Sequence, residues 1–256
     1  MAAEHGVVIV TGAGSGIGRA SVLCLAEAGY ACLLVGRRSE TLEETASLCS
    51  GLSGSVVPHL GDVSKPNEIS AIVSAAINLD ARLQGIVNNA AAAGLAVFPH
   101  WAPEQVEDMW QTNVLGPISL VQEAWSHLVT SGGRIVNMSS LAVLSPFPGN
   151  GLYGISKCAL DGLTRAIQSD TQDSGVKAFS IAPGAVETDM LRTIVDETQL
   201  PPAKAMAPDE IARLVLACIS GERDQDAGEV LYAAIPGFVT TDPDEAMAAM
   251  GRFHNS

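Results

Sequence analysis

The sequence predicts an α/β protein: a doubly wound sheet of about seven parallel strands with helices on both faces. Three observations predict it. Short, β-rich apolar runs alternate with stretches of helical periodicity along the chain. A glycine-rich turn joins the first apolar run to the first helical stretch. The residues able to do chemistry fall just past the predicted strands, where ligands bind in sheets of this kind.

Strands are expected at 6–11, 31–36, 55–60, 84–88, 134–139, 177–182 and 229–234. Helices are expected at 17–28, 40–48, 66–79, 103–128, 152–173 and 209–219. Ser39, Ser64 and the pair Ala102-Pro103 supply helix-start signals. Strict βα alternation requires parallel strands joined by right-handed crossovers. No linker, repeat or low-complexity segment interrupts it, so residues 1–256 read as a single domain. Residues 190–207 read as a substrate loop, and the polar stretch 239–256 as a C-terminal tail or partner-facing arm.

Composition narrows the class. Hydrophobic residues make up 47% and charged residues 16%, as in a globular chain. The net charge of −14 argues against nucleic acid, whose binding needs a basic surface, and against an anionic membrane. Cys24, Cys32, Cys49, Cys158 and Cys218 are odd in number and lack C-x-x-C spacing, so neither zinc nor a disulfide framework is expected. The five histidines form no pattern, and no metal site is expected. No basic residue precedes Arg19 and no apolar run reaches membrane-spanning length. Together these features predict a cytoplasmic location.

The first strand runs into Thr11-Gly12-Ala13-Gly14-Ser15-Gly16-Ile17-Gly18. Glycines at 12, 16 and 18 let the backbone turn tightly and approach a pyrophosphate. The helix beginning near Ile17 aims its N-terminal N–H groups at that anion. This is a Rossmann-type arrangement, although the spacing is not G-x-G-x-x-G. The second strand ends at Gly36, where an acidic residue would bond an adenosine ribose 2′-hydroxyl. Instead Arg37 and Arg38 follow, a local positive pair in an acidic chain. A guanidinium there suits a 2′-phosphate, so NADP(H) is expected rather than NAD(H).

With these motifs in view, the chain resembles the short-chain dehydrogenase/reductase family. The match is carried by Thr11 to Gly18, Asp62-Val63, Asn88-Asn89-Ala90-Ala91, Asn113, Ser140, Tyr153-x-x-x-Lys157 and Pro183-Gly184 with Thr188. Ala91 stands where the family usually has glycine, and Ala234-Ile235-Pro236-Gly237 where it often has Asp-Gly-Gly. The resemblance implies that Gly12, Ser15, Gly16, Ile17 and Gly18 cradle the cofactor phosphates. It implies that Asp62 and Val63 hold the adenine and that Asn89 and Ala90 line the adenosine side. Pro183, Gly184, Val186 and Thr188 would flank the nicotinamide carboxamide and pyrophosphate. It also implies assembly as a homodimer or homotetramer through the helices around Asn113 and Tyr153.

Tyr153 and Lys157 are four residues apart and share one helix face. A phenol of pKa near about 10 is a poor base at neutral pH, and a nearby ammonium favours its phenolate. Tyr153 is therefore expected as general acid and base. Ser140 would bond the reacting oxygen. Ser139 competes for that role from the opposite strand face, and the family's spacing selects Ser140. By the resemblance, Lys157 also bonds the nicotinamide ribose, and Asn113 bends its helix and holds a relay water. The substrate loops are expected at 92–101, 141–152 and 190–206. They hold Leu95, Phe98, Trp101, Leu144, Pro146, Phe147, Leu152, Met190 and Leu191 and no clustered charge, which predicts an uncharged ketone or aldehyde, or the matching alcohol.

Overall fold

The computed structural model describes residues 5–254. Strands form where aliphatic, β-branched residues run uninterrupted, because a central parallel strand is covered on both faces. They are β1 (Val7–Thr11), β2 (Ala31–Gly36), β3 (Val56–Leu60), β4 (Leu83–Asn88), β5 (Arg134–Met138), β6 (Lys177–Pro183), β7 (Val230–Ile235) and a short β8 (Phe238–Thr240). The sheet order is β3-β2-β1-β4-β5-β6-β7-β8. β1 to β7 are parallel and β8 pairs antiparallel with β7. The order reverses between β1 and β4, which opens a crevice at their carboxyl ends.

The helices are α1 (Gly16–Glu27), α2 (Ser39–Leu48), α3 (Pro66–Leu79), α4 (Pro103–Trp110), α5 (Gly116–Ser131), α6 (Gly151–Asp170), the one-turn α7 (Asp189–Arg192), α8 (Pro208–Ser220) and α9 (Pro243–His254). Alternate β1 side chains serve opposite layers. Val8 and Val10 pack with Leu25 of α1 and Val215 and Ile219 of α8. Val7 and Ile9 pack with Ile72 of α3 and Leu120 and Leu128 of α5. Each fully buried Leu or Ile contributes about 1.5–3 kcal/mol over an exposed one. At the sheet margins, β3 carries Pro58 and β8 has only three residues.

Two expected elements differ. The single helix at 103–128 is interrupted by a π-helical turn at Gln111–Leu115. Pro117 has no N–H to return to the Asn113 carbonyl four residues earlier, so α-helical bonding fails there. The stretch read as a tail forms β8 and α9, its last two residues lying outside the described residues. Pro236-Gly237, with Gly237 at φ +73, makes the tight turn from β7 into β8. Ala246 and Ala249 are buried, and Ala246 packs in a third small core with Val230, Tyr232 and Ala234.

Candidate active site

The crevice widens into a cavity of ≈ 980 Å³ along the carboxyl ends of the strands. Its phosphate end is built on Thr11. The Thr11 hydroxyl donates to the Val87 carbonyl (3.2 Å) and accepts from the N–H groups of Asn89 and Ala90 (3.0 Å each). Asn89 Nδ2 donates to the carbonyls of Thr11 and Gly12 (2.9 and 3.2 Å). Asn89 thus pins the glycine turn as well as lining the cavity. On the outer side Arg19 donates to the Gly14 carbonyl (2.6 Å) and Thr45 to that of Ala13 (3.1 Å). Gly16 sits at φ +51, and a Cβ there would lie 2.9 Å from Thr188 Cγ2. A Cβ on Gly18 would lie 2.2 Å from the Gly12 carbonyl oxygen.

These residues fit a dinucleotide. Ser15, at the N-cap of α1, makes no side-chain capping bond and faces the cavity with Gly12, Gly16 and Ile17. The N-terminus of α1 is therefore available to an anion. Arg37 and Arg38 lie exposed at the cavity wall beside Asp62 and Val63, and no ion pair engages either arginine among the described residues. Asp62 Oδ1 accepts from the N–H and hydroxyl of Ser64 (2.9 and 2.8 Å), which fixes its carboxylate. The buried Thr112 hydroxyl also lines the cavity and has no hydrogen-bond partner, a polar group suited to a bound ligand.

At the other end the strands bring together the catalytic candidates. A buried chain of amides and a hydroxyl ties β4 to β5 and β5 to α6: Asn88 Nδ2 donates to Asn137 Oδ1, and Asn137 Nδ2 to Thr164 Oγ1, each at 2.8 Å. This sets α6 against the end of β5. Ser140, just past β5, accepts from the Ala142 N–H (3.1 Å), and its hydroxyl is the partner of the Tyr153 hydroxyl. Lys157 is only 1% exposed and donates from Nζ to the Met138 carbonyl at 2.7 Å. Its ammonium lies 5.4 Å from the Tyr153 ring centroid. Asn113 is wholly buried; its Nδ2 donates to the Ala92 carbonyl and to Ser156 Oγ (both 2.9 Å), and its Oδ1 accepts from the Ala92 N–H (2.7 Å).

The electrostatics differ from expectation. Burial pushes the Tyr153 phenol up to about 12, against the opposing hydrogen bond from Ser140. Burial also pulls Lys157 down to about 8, against the attraction of Asp161. The ammonium approaches the tyrosine ring, while its hydrogen bond goes to a backbone carbonyl. Desolvation therefore outweighs the expected stabilisation of a phenolate.

After β6, Pro183, Gly184, Val186 and Thr188 line the cavity. A Cβ on Gly184 would lie 2.5 Å from the Ala234 carbonyl oxygen, and Thr188 Oγ1 accepts from the Leu191 N–H to cap α7 (3.2 Å). Arg192 grips Glu187 with two hydrogen bonds and donates to the Leu200 carbonyl (2.9 Å), fastening the loop that follows.

Of the expected site residues, all but Gly18 and Asn113 line the cavity. Those two act through packing and hydrogen bonds behind it. The loop at 92–101 contributes no lining residue. Leu95, Val97 and Phe98 point outward, with Phe98 74% exposed, and Trp101 donates to the Ala96 carbonyl (2.9 Å). Leu144, Pro146 and Leu152 also lie off the wall, whereas Phe147, Met190 and Leu191 are on it. Sequence reasoning missed Thr112 and Met250 of α9; Ile194, Val195 and Leu200, also on the wall, fall within the expected loop 190–206 without having been singled out.

The family model described as short chain dehydrogenase matches residues 6–199. A short chain dehydrogenase/reductase of Aspergillus oryzae is 34% identical over 229 residues, covering 82% of this chain and 86% of its own. A 3-oxoacyl-[acyl-carrier-protein] reductase of Thermotoga maritima is 26% identical over 238 residues, covering 90% and 97%. A solved structure described as a short chain dehydrogenase/reductase family protein superposes with a TM-score of 0.79 at 30% identity, covering 93% of this chain and 98% of that one. Fold, motif order and relatives agree over most of the chain's length, and the chain belongs to the short-chain dehydrogenase/reductase family of NAD(P)-dependent oxidoreductases.

Proposed function

We propose that this chain is an NADP(H)-dependent reductase of an uncharged ketone or aldehyde, with Tyr153 as general acid. One observation carries the reading. Ser140, Tyr153 and Lys157 meet in a cavity whose phosphate end has free arginines and whose far wall is apolar. A reduced nicotinamide dinucleotide held in this cavity would supply a hydride for the carbonyl carbon. Tyr153, protonated through the neutral range, donates its proton to the carbonyl oxygen, and the product is the alcohol. Ser140 holds that oxygen beside the phenol. Lys157 orients the nicotinamide ribose and returns a proton toward Tyr153. The Asn113 side chain is fully engaged with Ala92 and Ser156, so a relay water falls to its backbone carbonyl, which Pro117 leaves without the usual helical donor.

Leu141, Phe147, Ile194, Val195, Leu200 and Met250 favour an uncharged substrate. The preference for NADP(H) rests on Arg37 and Arg38, whose guanidinium groups suit a 2′-phosphate. A cytoplasmic, homodimeric or homotetrameric enzyme completes the reading. Among the described residues no helix is long and apolar enough to cross a membrane.

The test is oxidation of NADPH and of NADH followed at 340 nm against ketones, aldehydes and diketones, with Tyr153→Phe as control. Turnover with NADPH that the variant loses by about 10²-fold or more supports the reading. Equal turnover with NADH overturns the role of the arginines, and undiminished turnover in Tyr153→Phe overturns that of the tyrosine.

A further inference from the structure

Asp161 is 4% exposed and lies one helical turn beyond Lys157 on the same face of α6. A buried carboxyl is retained only when its oxygens are paired. Here Ser180 of β6 donates to Asp161 Oδ1 at 2.5 Å, a length typical of a hydroxyl bonded to a carboxylate anion. The Ser139 hydroxyl, at the end of β5, is a second hydrogen-bond partner. Asp161 thus joins three elements: the helix that carries Tyr153 and Lys157, the strand end that carries Ser140, and β6.

We propose that Asp161 is a positioning residue, the buried counter-charge that keeps the Lys157 ammonium charged and fixed against the end of β5. This rests on the reading of Lys157 as part of the reaction centre. A buried ammonium with a single carbonyl acceptor is costly, and a carboxylate one turn away offsets part of that cost. The remaining groups facing Asp161 do not supply the same effect. On α6 these are Cys158 and the exposed Arg165; on β7 there is the Tyr232 phenol. Burial raises the Asp161 carboxyl above its ordinary value, against the hydrogen bonds from Ser180 and Ser139 and the attraction of Arg165. It lowers Lys157, and each partner opposes the change in the other.

The chain has four lysines, Lys65, Lys157, Lys177 and Lys204, so Lys157 can be followed individually. Lysine labelled with ¹³C at Cε is titrated by NMR in the cofactor-free protein, with Lys157→Arg assigning the signal. In Asp161→Asn the Lys157 midpoint is expected to fall by about one pH unit, a tenfold loss of proton affinity, and Asp161→Glu restores most of it. The asparagine is isosteric and still accepts from Ser180, and a melting curve verifies its fold. In ketone reduction, kcat/KM of Asp161→Asn falls most on the alkaline side and recovers toward about pH 6. A midpoint equal to the parent's, or an activity loss of equal size at every pH, overturns the proposal. If the parent turns over no carbonyl substrate, the functional reading fails, and the lysine midpoint alone still decides the role of Asp161.

Discussion

Tyr153 and Lys157 are shifted in opposite directions by the same cause, the loss of water around them. The consequence has a definite sign. A phenol held up to about 12 stays protonated through neutral pH and is ready to donate. An ammonium held down to about 8 is lost as pH rises through that value. Carbonyl reduction is therefore expected to hold steady below pH 8 and to decline above it; a rate that rises from neutral to pH 9 would contradict this. Arg37 makes a second expectation at this scale. Arg37→Ser removes one guanidinium proposed to hold the 2′-phosphate, and NADPH affinity, read by titration of its fluorescence, is expected to fall about tenfold or more while NADH affinity stays put. The identity of these residues was legible in the sequence because motif spacing survives without coordinates. Their ionisation was not, since it depends on burial by neighbours distant in the chain. Asp161, Ser180 and Thr112 escaped notice for the same reason: nothing in their local sequence tells that their side chains are enclosed.

The glycine turn opposes substitution at two positions for different reasons, backbone conformation at Gly16 and backbone contact at Gly18. Gly16→Ala would need a left-handed backbone and would press on a side-chain methyl of Thr188, which can yield. Gly18→Ala adds its methyl against the backbone oxygen of Gly12, which cannot move without opening the turn. Gly18→Ala is thus expected to destabilise by about 1–3 kcal/mol and to weaken cofactor binding, although Gly18 is absent from the cavity wall. A melting curve and an NADPH titration of the two variants compare them directly. At this scale the sequence was most informative for β1, β2 and β4 to β7, whose buried aliphatic runs leave little ambiguity. Helical periodicity ran through the π turn unbroken, so α4 and α5 read as one helix, bent at Asn113 by the family resemblance, with Pro117 as the local fault. The segment of β8 and α9 hid behind its composition. Its buried contacts are alanines, which give a weak apolar signal between Asp242, Asp244 and Glu245. Conversely, the apolar loop at 92–101 looked like a pocket wall and faces solvent, because composition carries no direction.

Across the whole molecule the cavity is assembled from distant stretches of chain: the turns after each of β1 to β6, and finally α9. Met250 makes the last helix part of the cavity wall although it is far in sequence from Tyr153. Removal of residues 241–256 is expected to leave NADPH affinity within about twofold, since no phosphate-end residue is lost, and to raise KM for apolar ketones by about tenfold. Unchanged KM would show that α9 only covers the sheet. The sheet margins described above carry one more consequence. An open sheet is normally a template on which another chain can lay down a strand. Here Pro58 withholds a donor at one rim, and the other rim ends after three residues of β8. Strand addition is thereby disfavoured at both rims, and crowding the folded protein is expected to seed no fibrils, read by thioflavin T fluorescence.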